Sequence, residues 1–172
     1  MQRPSSLKAD WRQKAVFFVI ALLVITVDQL SKLWIELNLA VGESLPESGF
    51  LRLTHIQNTG ASFGFFQNQT LLLSILSIIS ICIMLILIIF MYRRIPLFST
   101  AIAKVSLGLI LGGVAGNLID RLSSGYVTDF IDFGFWPAFN VADSATVVGS
   151  IILAYILLRL AIKDGHPDGE DA

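Results

Sequence analysis

Charged and amide side chains stand in this 172-residue chain where they are costly to place. Asp28, Lys32, Asn117, Asp120, Arg121, Asn140 and Asp143 all lie within or at the ends of long apolar runs. An ionisable side chain in a bilayer costs about 3 kcal/mol on insertion scales, so a function is its default explanation. Asp129 and Asp132 follow in an aromatic stretch, residues 126–135 (YVTDFIDFGF), where an acid would be partly desolvated. Two carboxylates brought close in a low-dielectric site cannot both ionise easily, so one keeps a proton near neutral pH while the other stays charged. Such a pair can hydrolyse a peptide bond. The charged acid takes a proton from water, the neutral acid polarises the scissile carbonyl, and nearby amide or guanidinium donors stabilise the oxyanion. Five aspartates are candidates, Asp28, Asp120, Asp129, Asp132 and Asp143, and spacing alone does not choose between them.

Each of these residues also has a structural reading. Asp28 and Lys32 are four apart, share a helix face and can form an ion pair that fixes the end of the first helix. Asn117, Asp120 and Arg121 share a face at the end of the third apolar helix. There the planar fork of Arg121 suits a carboxylate or a main-chain carbonyl, while Asp120 can cap or pair locally. Asn140 and Asp143 begin the fourth, as an N-cap and a first-turn acid favoured by the helix dipole.

The elements that must position them are four apolar segments, at about residues 14–35, 70–92, 96–119 and 141–162. Each is near the roughly 20 residues that a hydrocarbon core requires. With 55% hydrophobic residues the chain is too apolar for one small soluble core. The basic residues cluster in the N-terminal arm (Arg3, Lys8, Arg12, Lys14), around the second connection (Arg93, Arg94, Lys104) and at the end (Arg159, Lys163). The positive-inside rule makes these regions cytoplasmic and turns the connections 36–69 and 120–140 outward, with both chain ends inside. The first segment lacks a closely following small-residue cleavage site, so it is expected to be a retained span and not a removed signal. In the first outward connection, residues 50–57 (FLRLTHIQ) partly alternate and precede Asn58-Thr59-Gly60, which predicts a short strand and a turn. Gly108, Gly112 and Gly116 recur every four residues and mark a helix face where backbones approach closely. Residues 1–163 make a single domain, and the polar 164–172 is expected to be a disordered cytoplasmic tail.

Five blocks, taken in order, resemble those of the lipoprotein signal peptidase (signal peptidase II) family. They are Asp28-Gln29-Leu30-Ser31-Lys32; Asn58-Thr59-Gly60-Ala61-Ser62-Phe63-Gly64; Gly112-Gly113-Val114-Ala115-Gly116-Asn117-Leu118-Ile119-Asp120-Arg121; Val127-Thr128-Asp129-Phe130; and Phe139-Asn140-Val141-Ala142-Asp143-Ser144. The resemblance covers roughly residues 14–163. It implies an all-α membrane protein of four transmembrane helices, with a small extracytoplasmic β-sheet from the first outward connection and a short extracytoplasmic helix from the second. By the same resemblance Asp129 and Asp143 are the catalytic dyad. Asn58, Asn117, Arg121 and Asn140 bind the substrate, and Asp28, Lys32, Asp120 and Asp132 support. The implied substrates are bacterial prolipoproteins bearing a diacylglyceryl-cysteine, cut on the N-terminal side of that cysteine at the extracytoplasmic face of the inner membrane. Membrane lipid and globomycin-type peptide inhibitors are the other implied partners, and a monomer is expected. The chain departs from the family in two places: Thr128 stands where valine is common, and the stretch between Asp129 and Asp143 is shorter than in many relatives.

Other classes receive less support. Cys82 is the single cysteine, and His55 and His166 are far apart, so neither a disulfide framework nor a metal cluster is expected, and no cofactor. The net charge of -1 hides a segregated distribution and gives no sign of a nucleic-acid partner. A small proton-coupled transporter is the main rival, although transporters place their acids near the midplane rather than at one face. A helix-binding scaffold would explain the glycine stripe and leave the acids unexplained. A serine peptidase would need a base near Ser123, Ser124 or Ser144, and His55 is the only histidine on the outward side.

Overall fold

The structure, a computed structural model, describes residues 4–60, 66–91 and 100–164. Residues 61–64 of the second motif block, Arg93 and Arg94, the expected start of the third segment at 96–99 and the tail from 165 lie outside the described residues. In order along the chain come α1 (Pro4–Asn38), β1 (Ser44–Leu45), β2 (Arg52–Asn58), α2 (Thr70–Met91), α3 (Ala101–Ser123), β3 (Val127–Asp132) and α4 (Val141–Asp164). Three stretches are long and apolar enough to cross a membrane: Val16–Asn38, Ala101–Ser123 and Val141–Ile162. The fourth expected span falls on α2, whose apolar stretch among the described residues is the shorter Thr70–Ile86. Apolar side chains such as Leu22, Leu30, Leu71, Ile151 and Leu158 point outward, as suits helices whose backbone groups are satisfied internally and whose surroundings are hydrocarbon.

The glycines of α3 explain how its neighbours pack. A Cβ at Gly108 would stand 2.8 Å from the Phe17 carbonyl oxygen, and one at Gly112 would stand 2.7 Å from Val24 Cβ, so this stripe receives α1. Gly116 makes room for a side chain instead, because a Cβ there would lie 2.7 Å from Asp28 Oδ2. One residue round the helix, Gly113 meets α4: a Cβ would collide with the Ala142 carbonyl oxygen and Thr146 Oγ1. Close approach of this kind substitutes van der Waals contact for the hydrophobic driving force that lipid does not supply.

A polar staple crosses the same contacts. Lys32 is 2% exposed, and its three ammonium hydrogens meet three acceptors: Asp28 at 2.7 Å, Asp120 at 2.7 Å and Asn117 Oδ1 at 3.0 Å. The expected Asp28–Lys32 ion pair is therefore present and extends to α3. Asp28 also accepts from the backbone N–H of Ala142 at 2.8 Å, which satisfies one of the free amides at the start of α4. One buried ionic cluster thus ties α1, α3 and α4 together at the end of the bundle nearest the sheet.

The three strands form an antiparallel sheet in the order β1-β2-β3. β2 and β3 pair Arg52 with Asp132 and Leu53 with Ile131, shift register between Leu53 and Ile56, then pair Ile56 with Asp129 and Asn58 with Val127. Ile35 and Leu39 at the end of α1 pack on Phe130, Leu53, Ile131 and Val141, so the sheet sits on the bundle through an apolar contact. His55 Nδ1 adds a hydrogen bond of 2.9 Å to the Leu39 carbonyl.

The second connection differs from expectation. Residues 124–140 contain β3 and an extended return, and no helix. Phe139 exchanges backbone hydrogen bonds with Ile131, its N–H donating at 3.1 Å and its carbonyl accepting from Ile131 at 2.8 Å and from Phe130 at 3.0 Å. With the return committed to that ladder one residue before the N-cap Asn140, only residues 133–138 lie between the paired segments, and they bend back without a helical turn.

Two measurements test this packing. Gly113→Ala is expected to lose roughly 1–3 kcal/mol of stability through overpacking, and Lys32→Met about 3–5 kcal/mol by stranding buried carboxylates. Unfolding of the detergent-solubilised protein reads both, and a wild-type transition in either variant would contradict the packing described.

Candidate active site

Strand pairing and a helix cap bring Asp129 and Asp143 to the same amide group. Asn140 precedes α4, and its Oδ1 accepts from the Asp143 backbone N–H at 2.9 Å while its own backbone N–H lies 3.4 Å from Asp143 Oδ2. This reciprocal arrangement is a capping box with aspartate as its acid. Asn140 is fully buried, and its Nδ2 donates to Asp129 Oδ1 at 2.8 Å and to Asn117 Oδ1 at 3.1 Å. Asp129 reaches it because β3 is held between β2 on one side and Phe139 on the other.

Three asparagines present N–H groups to the two acids, and in each the orientation follows from a partner that can only donate. Asn117 Oδ1 accepts from the Lys32 ammonium, so its Nδ2 must face Asp143, which it meets at 2.7 Å. Asn58 Oδ1 accepts from the Gly60 backbone N–H at 2.9 Å, which turns its Nδ2 to Asp129 Oδ2 at 2.9 Å. Asn140 is fixed by the N–H of Asp143 as described. The donors are therefore set before any ligand arrives.

Burial raises the Asp129 carboxyl most, and the nearby Asp143 charge raises it further. Hydrogen bonds from Asn58 and Asn140 and the Lys32 charge oppose this in part, and the carboxyl comes to rest at about 7. An acid at that value holds and releases a proton near neutrality. Asp132 behaves in the opposite way. Its burial opposes ionisation, but the Gly134 N–H at 2.6 Å, Thr54 Oγ1 at 2.9 Å and the Arg52 guanidinium at 2.5 Å outweigh that and hold it below the usual carboxylate range.

The remaining candidates are engaged elsewhere. Asp28 and Asp120 are committed to Lys32, and Asp120 also accepts from Gln29 Nε2 at 2.7 Å. Arg121 holds main-chain carbonyls, Gly60 at 3.4 Å and Asn117 at 3.3 Å. The acids Asp143, Asp129 and Asp120 all act on its charge. Sequence reasoning did not single out Gln29, although an amide one residue after Asp28 in an apolar run was a visible signal. Glu36 was also passed over. It accepts from Thr128 Oγ1 at 2.5 Å, and its position beyond the apolar run gave no sign of this.

What the arrangement offers is a buried acid titrating near neutrality and a half-buried one, beside fixed N–H donors and a guanidinium. Comparison with known proteins gives the family. The sequence profile of the family Signal peptidase (SPase) II matches residues 20–159. A lipoprotein signal peptidase of Dehalococcoides mccartyi (strain BAV1) is 44% identical over 155 residues, covering 90% of this chain and 94% of the relative. One from Moorella thermoacetica is 45% identical over 151 residues, covering 87% and 97%. Among solved structures, a bacterial membrane enzyme determined by the in meso method at 2.3 Å is similar with a TM-score of 0.73 and 28% identity, over 92% of this chain and 95% of that one. A second, at 1.9 Å, gives 0.70 and 30%, over 84% and 93%. On profile, full-length identity and fold alike, the chain belongs to the signal peptidase II family.

Proposed function

We propose that this protein is an intramembrane aspartyl endopeptidase that removes signal peptides from prolipoproteins carrying a diacylglyceryl-cysteine, cutting on the N-terminal side of that cysteine. The observation that carries the reading is the pair Asp129 and Asp143, joined through Asn140 and supplied with N–H donors by Asn58 and Asn117. Asp143 sits in the first turn of α4, where the helix dipole and neighbouring N–H groups favour the charged form of the two. It takes a proton from the attacking water. Asp129 holds its own proton below about pH 7 and donates it toward the scissile carbonyl oxygen as the tetrahedral centre forms. Collapse of that centre breaks the C–N bond: the proton taken up by Asp143 passes to the departing amine of the cysteine, and the carbonyl re-forms as its oxygen returns a proton to Asp129. Arg121 and Asn58, Asn117 and Asn140 hold the substrate main chain and the lipid-bearing residue, and Asp28, Lys32, Asp120 and Asp132 keep the frame in place.

In this reading α2 is a fourth span, and the sheet and the dyad face the extracytoplasmic side of the bacterial inner membrane with both termini cytoplasmic; the segregation of Lys and Arg along the chain supports it. A diacylglyceryl group is anchored at that depth. An apolar groove of about 420 Å³ between α1 and α4, lined by Ile20, Leu23, Val27, Leu109, Val141 and Val148, offers hydrocarbon contact next to the first turn of α4. A globomycin-type peptide would compete for the same donors, and a single chain suffices for the chemistry.

The test is a gel-shift assay of purified diacylglyceryl-modified prolipoprotein in detergent. Wild type is expected to cleave, Asp129→Asn and Asp143→Asn each to abolish cleavage while still folding, and Asp132→Asn to keep substantial activity. Equal loss in all three variants would remove the dyad assignment, and an inactive but folded wild type would favour transport. The pH profile gives a second check. Because the Asp129 carboxyl is raised, its proton is present below about pH 7 and lost above it, so kcat/KM should fall as pH rises through that value. A rate that climbs through the same range would transfer the proton-donating role to Asp143.

A further inference from the structure

Thr128 is 1% exposed, although its side chain carries a hydroxyl, and a buried hydroxyl without an acceptor is costly. The acceptor is Glu36 Oε1, at 2.5 Å. Thr128 stands opposite Gln57 in the β2–β3 ladder, and two weaker contacts reach its own backbone groups: its N–H lies 3.4 Å from Asp120 Oδ2, and its carbonyl 3.5 Å from Asn140 Nδ2. The hydroxyl bond to Glu36 is thus the short tether on a residue that immediately precedes Asp129.

Glu36 also completes a series. Asp28, Lys32 and Glu36 recur at intervals of four and share one face of α1. Asp28 reaches the start of α4, Lys32 reaches α3, and Glu36 reaches β3. Successive side chains of a strand point to opposite faces. Thr128 can therefore be gripped from α1 while Asp129 turns to Asn58 and Asn140.

We propose that Glu36 is a positioning residue for the reaction: by accepting the Thr128 hydroxyl it sets, within the β2 ladder, the fine rotation of β3 at Thr128, and with it the place of the Asp129 carboxyl. This rests on the dyad reading above, in which Asp129 must stand within reach of the scissile carbonyl. Misplacement by about 1 Å can cost on the order of 100-fold in rate, so one tether on the adjacent residue is enough to matter. The polar pair Glu36 and Thr128 replaces what an apolar pair would do by packing.

The experiment compares Glu36→Leu, Glu36→Gln, Thr128→Val and the double variant Glu36→Leu/Thr128→Val, each by kcat, KM and melting temperature in detergent. Alongside runs a 13C NMR titration of the Asp129 carboxyl, which needs no substrate. The charged groups acting on Asp129, namely Asp143 from α4, Lys32 from α1 and Arg121 from α3, are retained throughout. Glu36→Leu is expected to lower kcat about ten-fold with little change in KM, and to shift the Asp129 titration. Glu36→Gln, whose amide oxygen accepts the same bond, should recover both, and so should the double variant, in which the two introduced apolar side chains pack on each other and position β3 in place of the hydrogen bond. The inference is overturned if Glu36→Leu keeps wild-type kcat and an unshifted Asp129 titration. It is equally overturned if the loss follows melting temperature and neither Glu36→Gln nor the double variant relieves it. Should the wild type fail to cleave at all, the functional reading falls by itself, and the carboxyl titration still decides whether Glu36 positions Asp129.

Discussion

A lysine ammonium taken out of water at the end of a helical bundle constrains everything around it. Lys32 has three hydrogens to satisfy, and the chain meets them with two carboxylates and one amide oxygen drawn from α1 and α3. Charges buried in this way contribute little net stability when paired, but they strongly penalise any arrangement that leaves one unpaired. Here that penalty fixes the axial register of α1 against α3, because a slip of one residue would separate Lys32 from Asp120. It also fixes the Asn117 amide, whose oxygen is claimed by the ammonium and whose nitrogen is left for Asp143. Electrostatics at the frame is thereby converted into orientation at the candidate site.

Helix packing and site construction are coupled through the same residues. The glycine face of α3 lets α1 approach, and its last member, Gly116, leaves the space that Asp28 occupies. Asp28 in turn caps the start of α4, the turn that carries Asp143. Bulk added on that face would push the carboxylate, and the displacement would pass through the cap to the acid beyond it.

Much of this was legible in the sequence, for reasons that differ by residue. Apolar runs near bilayer length announce helices. Asp28 with Lys32, and Asn140 with Asp143, are local pairs at helical spacing, and they form as expected. Which of the five aspartates stand together was not local. It depends on the pairing of β3 with β2, on the register shift between Leu53 and Ile56, and on the bridge from Ile131 to Phe139, none of which has a periodic signature. The expected helix in the second connection was a property carried over by resemblance, and in this chain the backbone ladder at Phe139 takes its place. The contact of Gly113 with α4 lies off the four-residue stripe, and the partners of Gln29, Thr128 and Glu36 lie about ninety residues away, so local spacing gives no sign of what these residues hold.

The bridge between Ile131 and Phe139 divides the second connection into two parts with separate duties. Below it, Asp129 and the cap of α4 are locked to the frame. Above it, residues 133–138 form a tip that includes Gly134 in the left-handed region and the exposed Phe135 and Trp136. Because the strand and the cap are tied across the base of that tip, its length and composition are free to change without altering the separation of the two acids. The fold therefore offers a place where insertion or substitution can reshape the exposed surface beside the two acids while their mutual geometry is inherited intact.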